Sequence, residues 1–118
     1  MKKIDLPKLK KKAQEVFNRW IRERDKNFGC ISCGGNVDHA GHYFSSGHYT
    51  ILTFDEINVN GQCLRCNNFL HGNLIHYRMG LVERYGDKIV GELEIKSRNK
   101  VKKWDRVELE DIISKYKL

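Results

Sequence analysis

No apolar run in this sequence approaches the ~20 residues that a membrane-spanning helix needs. No basic-then-apolar leader with a cleavage site opens it: Met1-Lys2-Lys3-Ile4-Asp5 passes directly into a charged helical pattern. Internal repeats and low-complexity stretches are also missing, which excludes repeat arrays and biased linkers. Cysteine is scarce, with four residues in 118, and these fall in two close pairs. What remains is room for one domain with a modest core, in a chain short enough to profit from a staple. The expected setting is a soluble protein of a reducing cytoplasm, where disulfides are rare and Cys-x-x-Cys pairs usually bind metal.

The formal charge is +7, and its placement says more than its size. Residues 1–24 carry nine Lys/Arg against three Asp/Glu, and residues 96–106 carry six against one. The stretch 25–95 is mildly acidic, with five against eight. Basic arms bracketing an acidic centre suit a protein whose edges attract a polyanion while its middle holds cations. The candidate phosphate-binding residues are Lys8, Lys11, Lys12, Arg19, Arg65, Lys100, Lys102 and Lys103. A lysine-rich helix alone is equally well read as a solvated face, so the arms gain meaning only beside the motifs between them.

Asp5-Leu6-Pro7 reads as a helix cap followed by a first-turn proline. Leu9, Ala13, Val16, Phe17, Trp20 and Ile21 then form one apolar stripe, with Phe17 and Trp20 as core anchors, and the helix ends near 25–29. Beyond Cys30 the pattern turns extended: Gly34-Gly35-Asn36 reads as a turn, Val37–Phe44 as a first strand, Ser45–His48 as a loop, and Tyr49–Asn58 as a second extended element. Helical spacing returns at Leu70, Leu74, Tyr77 and Leu81 and stops at Gly86. A short helix is expected over Asp87–Glu94. A final one follows Trp104, with Asp105 and Glu108 as a capping box and Leu109, Ile112, Ile113 and Tyr116 as its stripe.

Cys30-Ile31-Ser32-Cys33 and Cys63-Leu64-Arg65-Cys66 carry the strongest chemical signal. Two residues between thiolates let both sulfurs of a tight turn reach one ion, and two such turns complete a tetrahedron. Two disulfides or a redox pair are the alternative, and structural zinc is preferred. Four protein ligands leave no open position, so this ion clamps the chain and does no catalysis.

Between and just after the pairs stand Asp38-His39-Ala40-Gly41-His42, Asn58, and Asn67 directly after Cys66. A histidine, an asparagine and a third His or Asn around a Cys-x-x-Cys pair make up the HNH pattern, a β-hairpin and helix around one divalent cation. Phosphodiester hydrolysis needs a base near neutral pH, and an imidazole has an ordinary pKa of about 6.5. It also needs a cation to neutralise charge on the phosphorane and the leaving oxygen, and magnesium or manganese accepts oxygen ligands from Asn or Asp. The fold class expected is α+β: a small zinc-stapled ββα-metal core with flanking N- and C-terminal helices. One domain spans 1–118, made of a basic helix (1–27), the knuckle and core (28–86) and a basic helical extension (87–118).

Several motifs in order resemble the NinG/Rap family of lambdoid phages. They are Cys30-Ile-Ser-Cys-Gly, Ala40-Gly-His-Tyr-Phe-Ser-Ser-Gly47, Asn58 with Gln62-Cys-x-x-Cys-Asn67, Gly72-Asn73, Tyr77-Arg-x-Gly-Leu81 and Tyr85-Gly86. The likeness covers roughly Phe17–Gly86. It implies a phage- or prophage-encoded recombination nuclease acting in the host cytoplasm on branched DNA such as D-loops and Holliday junctions. The arrangement is also similar to phage junction-resolving enzymes of the His-Me finger type, in which the asparagine after the last cysteine binds the catalytic metal; this implies that role for Asn67. His39 stands where many relatives carry Asp, and Phe69 where a polar residue is usual, with His71 two positions further. Asp38, His39 and His71 are therefore all candidates for the second metal ligand.

Two registers compete for the base. In one, Asp38 is a ligand and His39 the base; in the other, His42 activates water and is oriented through Asn58. Only four residues separate Cys33 from Asp38, too little chain for a strand, and His42 also matches the family motif. His42 is preferred. His48 reads as a solvated loop residue and His76 as packing or surface. The expected activity is a metal-dependent DNA endonuclease, with a non-catalytic zinc-knuckle DNA-binding module or a general HNH restriction or homing nuclease as alternatives. Symmetric cutting of a junction would need two copies, and a homodimer through the Phe17–Trp20 stripe would supply them.

Overall fold

The computed structural model describes residues 3–118. Helix α1 runs Leu6–Asp25; Asp5 is its extended N-cap, its carboxylate accepting the Lys8 amide at 3.0 Å, and Pro7 sits in the first turn. Leu9, Ala13, Phe17 and Ile21 point inward and are buried, as the stripe requires. Helix α4, Arg106–Tyr116, begins with the expected capping box: Asp105 accepts the Glu108 amide at 2.8 Å, and Glu108 accepts the Asp105 amide at 3.2 Å.

α4 packs on α1. The Phe17 ring meets Tyr116 edge-on at 4.7 Å and Phe54 at 5.7 Å, while Trp20 meets Tyr116 at 4.9 Å. Such pairs add ~0.5–1.5 kcal/mol each beyond their burial. The stripe on α1 is thus filled from within the chain. Phe17 is wholly buried, and this face is not available for the dimer contact expected of it.

Two antiparallel strands form the sheet, β1 (His39–His42) and β2 (Val59–Gln62), with His39 opposite Gln62 and His42 opposite Val59. Bonds from the Asp38 amide to Gln62 O and from the Tyr43 amide to Asn58 O extend the pairing past both ends of β1, which is still shorter than Val37–Phe44. The second extended element is misplaced in the sequence reading. Residues 49–58 fold into a 3-10 turn (Thr50–Leu52) and tight turns, and the strand follows them. The reason is local: Thr53 Oγ1 donates to Thr50 O, and Asp55 Oδ1 accepts the amides of Ile57 and Asn58. These side-chain bonds offer the backbone an alternative to a ladder. β2 itself, Val-Asn-Gly-Gln, is buried throughout and shows no apolar alternation that could announce it.

One turn of π-helix (Arg65–Phe69) leads through a left-handed bend to α2 (Leu74–Tyr85), and Gly86 separates α2 from α3 (Asp87–Lys96). Tyr77 and Leu81 pack with Leu52, Val90 and Leu93 in a second core; Leu70 and Leu74, read as part of the same stripe, are exposed. Residues 97–105 then form a strap held on Thr50. Trp104 Nε1 donates to Thr50 O at 2.8 Å, and the Lys102 amide donates to Thr50 Oγ1 at 2.9 Å. Among the described residues no helix is long and apolar enough to cross a membrane.

Candidate functional site

The sheet brings the two cysteine pairs together, one just before β1 and the other directly after β2. All four Sγ atoms lie within 4.8 Å of one another, and Cys33 and Cys63 are 3.6 Å apart. A tetrahedral ion with Zn–S bonds of ~2.3 Å places its sulfurs about 3.8 Å apart, so the cluster could hold one structural metal such as zinc. No disulfide links them. The Gly35 amide donates to Cys33 Sγ at 3.4 Å, Cys66 N to Cys63 Sγ at 3.3 Å, and Asn73 Nδ2 to Cys66 Sγ at 3.5 Å. Such N–H donors stabilise thiolate charge. Burial pushes the Cys66 thiol up to about 12, so an ion must displace its proton.

The knuckle also docks α2. A Cβ on Gly80 would lie 2.0 Å from the carbonyl oxygen of Ile31, inside the first Cys-x-x-Cys turn. Only glycine lets the helix approach the knuckle this closely.

β1 alternates its side chains between two faces. Ala40 packs on the α1 core, and His42, on the same side of the strand, bonds Thr53 O through Nε2 at 3.1 Å. A carbonyl only accepts, so Nε2 carries the proton and Nδ1 is the basic nitrogen. Burial pulls the His42 pKa below the ordinary imidazole value, and the Thr53 bond offsets part of that effect. On the other face His39 meets Asn67: Asn67 Nδ2 donates to His39 Nδ1 at 2.9 Å.

Of the three candidates for the second ligand, His39 is the one against Asn67. Asp38 is otherwise employed, its Oδ2 accepting the Leu64 amide at 2.8 Å and capping the second knuckle turn. His71 is exposed in the bend before α2 at φ 50°, and no hydrogen bond among the described residues joins it to His39 or Asn67. No hydrogen bond joins the side chains of Asn58 and His42. The Asn58 amide is spent on Phe44 N, Phe44 O and Leu52 O, at 2.8, 3.0 and 3.1 Å. It braces the loop whose next residue, Thr53, holds the imidazole, so its influence on His42 is one step removed. His48 and His76 bond only near neighbours, Ser45 and Asn73.

Three polar residues around the site, Tyr77, Asn60 and Gln62, received no site role from the sequence, although Tyr77 and Gln62 stand in its motifs. Tyr77 Oη donates to Gly41 O at 2.7 Å and accepts from Asn60 Nδ2 at 3.2 Å, fixing β1 from below. Gln62 is fully buried opposite His39. The signal for it was present: a polar residue immediately before Cys63.

The basic residues divide. Lys8, Lys11, Lys12 and Arg19 are exposed on α1, as are Arg65 beside Asn67 and Lys100 and Lys103 on the strap. Lys102 differs from the expectation: its Nζ pairs with Glu108 at 2.7 Å and lies 4.9 Å above the Trp104 ring, so it serves the packing of the strap.

The model of the family described as bacteriophage lambda NinG protein matches residues 2–118. Protein ninG of Salmonella phage P22 is 41% identical over 109 residues, which cover 90% of this chain and 53% of that protein. Protein ninG of Escherichia phage 933W is 40% identical with the same coverage, and that of Escherichia phage lambda is 38% identical over 90% of this chain and 52% of its own length. The chain thus spans about half the length of the curated relatives it matches. No solved structure matches it. With two cysteine pairs clustered beside a two-stranded sheet and a family match over residues 2–118, this chain belongs to the NinG family.

Proposed function

We propose that this chain carries a zinc-stapled DNA endonuclease centre of the HNH, ββα-metal type, which hydrolyses phosphodiester bonds in branched recombination intermediates such as D-loops and Holliday junctions. The observation that carries the reading is the contact of His39 with Asn67, the residue after the last cysteine, on a hairpin closed by the knuckle. Two donors fit a hard cation in kind, His39 Nδ1 and Asn67 Oδ1, and water would complete its shell. Magnesium or manganese at this place would neutralise charge on the phosphorane and the departing 3′ oxygen.

The chain's own residues do the rest. His42, kept neutral by burial and held by Thr53, takes a proton from the attacking water at Nδ1. Asn58 braces the loop that presents Thr53. The register with Asp38 as ligand and His39 as base is the second reading: His39 shares a face of β1 with Asn67 while His42 lies on the other, and Asp38 caps Leu64 with one oxygen only. Exposed Lys8, Lys11, Lys12 and Arg19 hold phosphates without reading bases, which suits recognition of DNA shape. Preference for branched DNA rests on family likeness, and cutting both strands of a junction requires a second copy docked elsewhere than on the α1 stripe.

The test is cleavage of a four-way junction and a matched linear duplex with magnesium, manganese or EDTA. Metal-dependent cutting of the junction supports the proposal. Equal cutting of the duplex makes the protein a general HNH nuclease, and binding without cutting makes it a zinc-knuckle DNA-binding module.

A further inference from the structure

Gln62 is the most informative residue around the site that the mechanism does not use. Its side chain is fully buried, and both amide hydrogens are committed: Nε2 donates to Ser32 Oγ at 2.9 Å and to Gly72 O at 2.8 Å. The amide cannot turn over without losing both bonds. Oε1 is therefore held toward β1, where it is buried with no hydrogen-bond partner, a costly state for a polar atom. It crowds Gly41: a Cβ there would lie 1.9 Å from Gln62 Oε1 and 3.1 Å from Asn67 Oδ1. Two acceptors, one orphaned and one meant for a cation, thus face the same small space. Meanwhile the Asn67 NH2 group is spent on His39 Nδ1, the other nitrogen or oxygen needed for the ion.

Turning the Asn67 amide about its last torsion resolves both conflicts. Nδ2 would then donate to Gln62 Oε1, and Oδ1 would face outward beside a freed His39 Nδ1. We propose that Gln62 is a positioning residue: its fixed Oε1 takes the Asn67 NH2 group when a divalent cation binds, so that Asn67 offers oxygen to the ion. This inference rests on the metal centre proposed above. Its chemistry is that of a hydrogen bond orienting a metal ligand from behind, whose loss typically weakens metal affinity by about 10- to 100-fold.

The experiment measures Mn2+ affinity of the zinc-loaded protein from the EPR signal of free Mn2+, for wild type, Gln62→Met, Asn67→Asp and the double variant. A carboxylate at 67 has no NH2 to be oriented. The proposal expects Gln62→Met to weaken Mn2+ binding about 10- to 100-fold with Asn67 present, and by little or not at all with Asp at 67. Equal loss in both backgrounds overturns it, because Gln62 then acts only as a strut between Ser32 and Gly72. If wild type binds no Mn2+, or Asn67→Ala binds as well as wild type, the metal-centre reading fails first and the inference with it. A measurement on the wild-type protein covers the case in which Gln62→Met does not fold. The Asn67 side-chain NH2 protons should exchange with water more slowly once Mg2+ is added, and unchanged exchange in Mg2+-bound protein overturns the proposal.

Discussion

Arg84 Nη2 donates to Asp25 Oδ1 at 2.6 Å, tying the last turn of α1 to the last turn of α2. The same carboxylate accepts Arg24 Nε at 2.7 Å and Nη2 at 2.9 Å, and the backbone amide of Gly61 in β2 at 2.8 Å. One wholly buried charge therefore holds two helices and the central strand. Asp25→Ala leaves two guanidinium groups uncompensated and is expected to cost ~3–5 kcal/mol in urea or thermal unfolding. Burial alone would raise the Asp25 pKa, but the bonds from Arg24, Arg84 and Gly61 outweigh it and hold the carboxyl below its ordinary range. A depressed folded pKa gives stability that is complete above the unfolded value of about 3.9 and fades as pH falls through the folded one. Wild type should lose stability below about pH 4 more steeply than Asp25→Asn does.

Elemental analysis of purified protein should give one zinc per chain. Zinc binding in isolated fingers is worth ~10–16 kcal/mol, comparable with the whole stability of a small domain. Stripping the ion with a strong chelator, or making Cys63→Ser, should abolish cooperative thermal unfolding by circular dichroism. A sharp, unshifted melt in metal-free protein would remove the knuckle from the account.

Gly80 gives a prediction whose sign opposes helix propensity. Alanine in a helix interior is ordinarily ~1 kcal/mol better than glycine. Here its methyl group would lie 2.0 Å from Ile31 O, and backbone cannot yield as a flexible side chain does. Gly80→Ala is expected to destabilise by about 1–3 kcal/mol and to loosen metal retention by the knuckle.

His42→Ala should lower cleavage by about 10²- to 10⁴-fold while leaving junction binding intact. His39→Ala should instead raise the Mg2+ or Mn2+ concentration needed for half-maximal rate. Because burial depresses the His42 pKa, the base stays unprotonated at mildly acidic pH, and the acidic limb of the rate profile should fall below about 6.5. Full activity in His42→Ala would sink the assignment.

Charge reversal at Lys8, Lys12 and Arg19 should weaken DNA binding and flatten its salt dependence without moving the melting temperature. Lys102→Ala should do the opposite, lowering stability through the lost Glu108 pair and Trp104 contact.

Much of this protein was legible in its residues because the determining physics is local. The α1 stripe, the Asp5 cap, the Asp105–Glu108 box and the stop at Gly86 each depend on neighbours a turn away. Cys-x-x-Cys spacing likewise specifies a metal turn before any fold exists. The second strand was not legible, because a buried Asn-Gly-Gln segment lacks the alternation by which strands are recognised, and most partners of its side chains are distant in sequence. The site divides along the same line. The sequence offered Asp38, His39, His42, Asn58, Asn67 and His71 as its candidate polar residues. Only the pairing register and the docking of α2 decided that His39 faces Asn67, that Thr53 and not Asn58 holds His42, that one oxygen of Asp38 caps Leu64, and that Gln62 keeps an unpaired oxygen beside Gly41. Those outcomes depend on which long-range groups compete for each hydrogen bond, and a linear order of residues does not contain that competition.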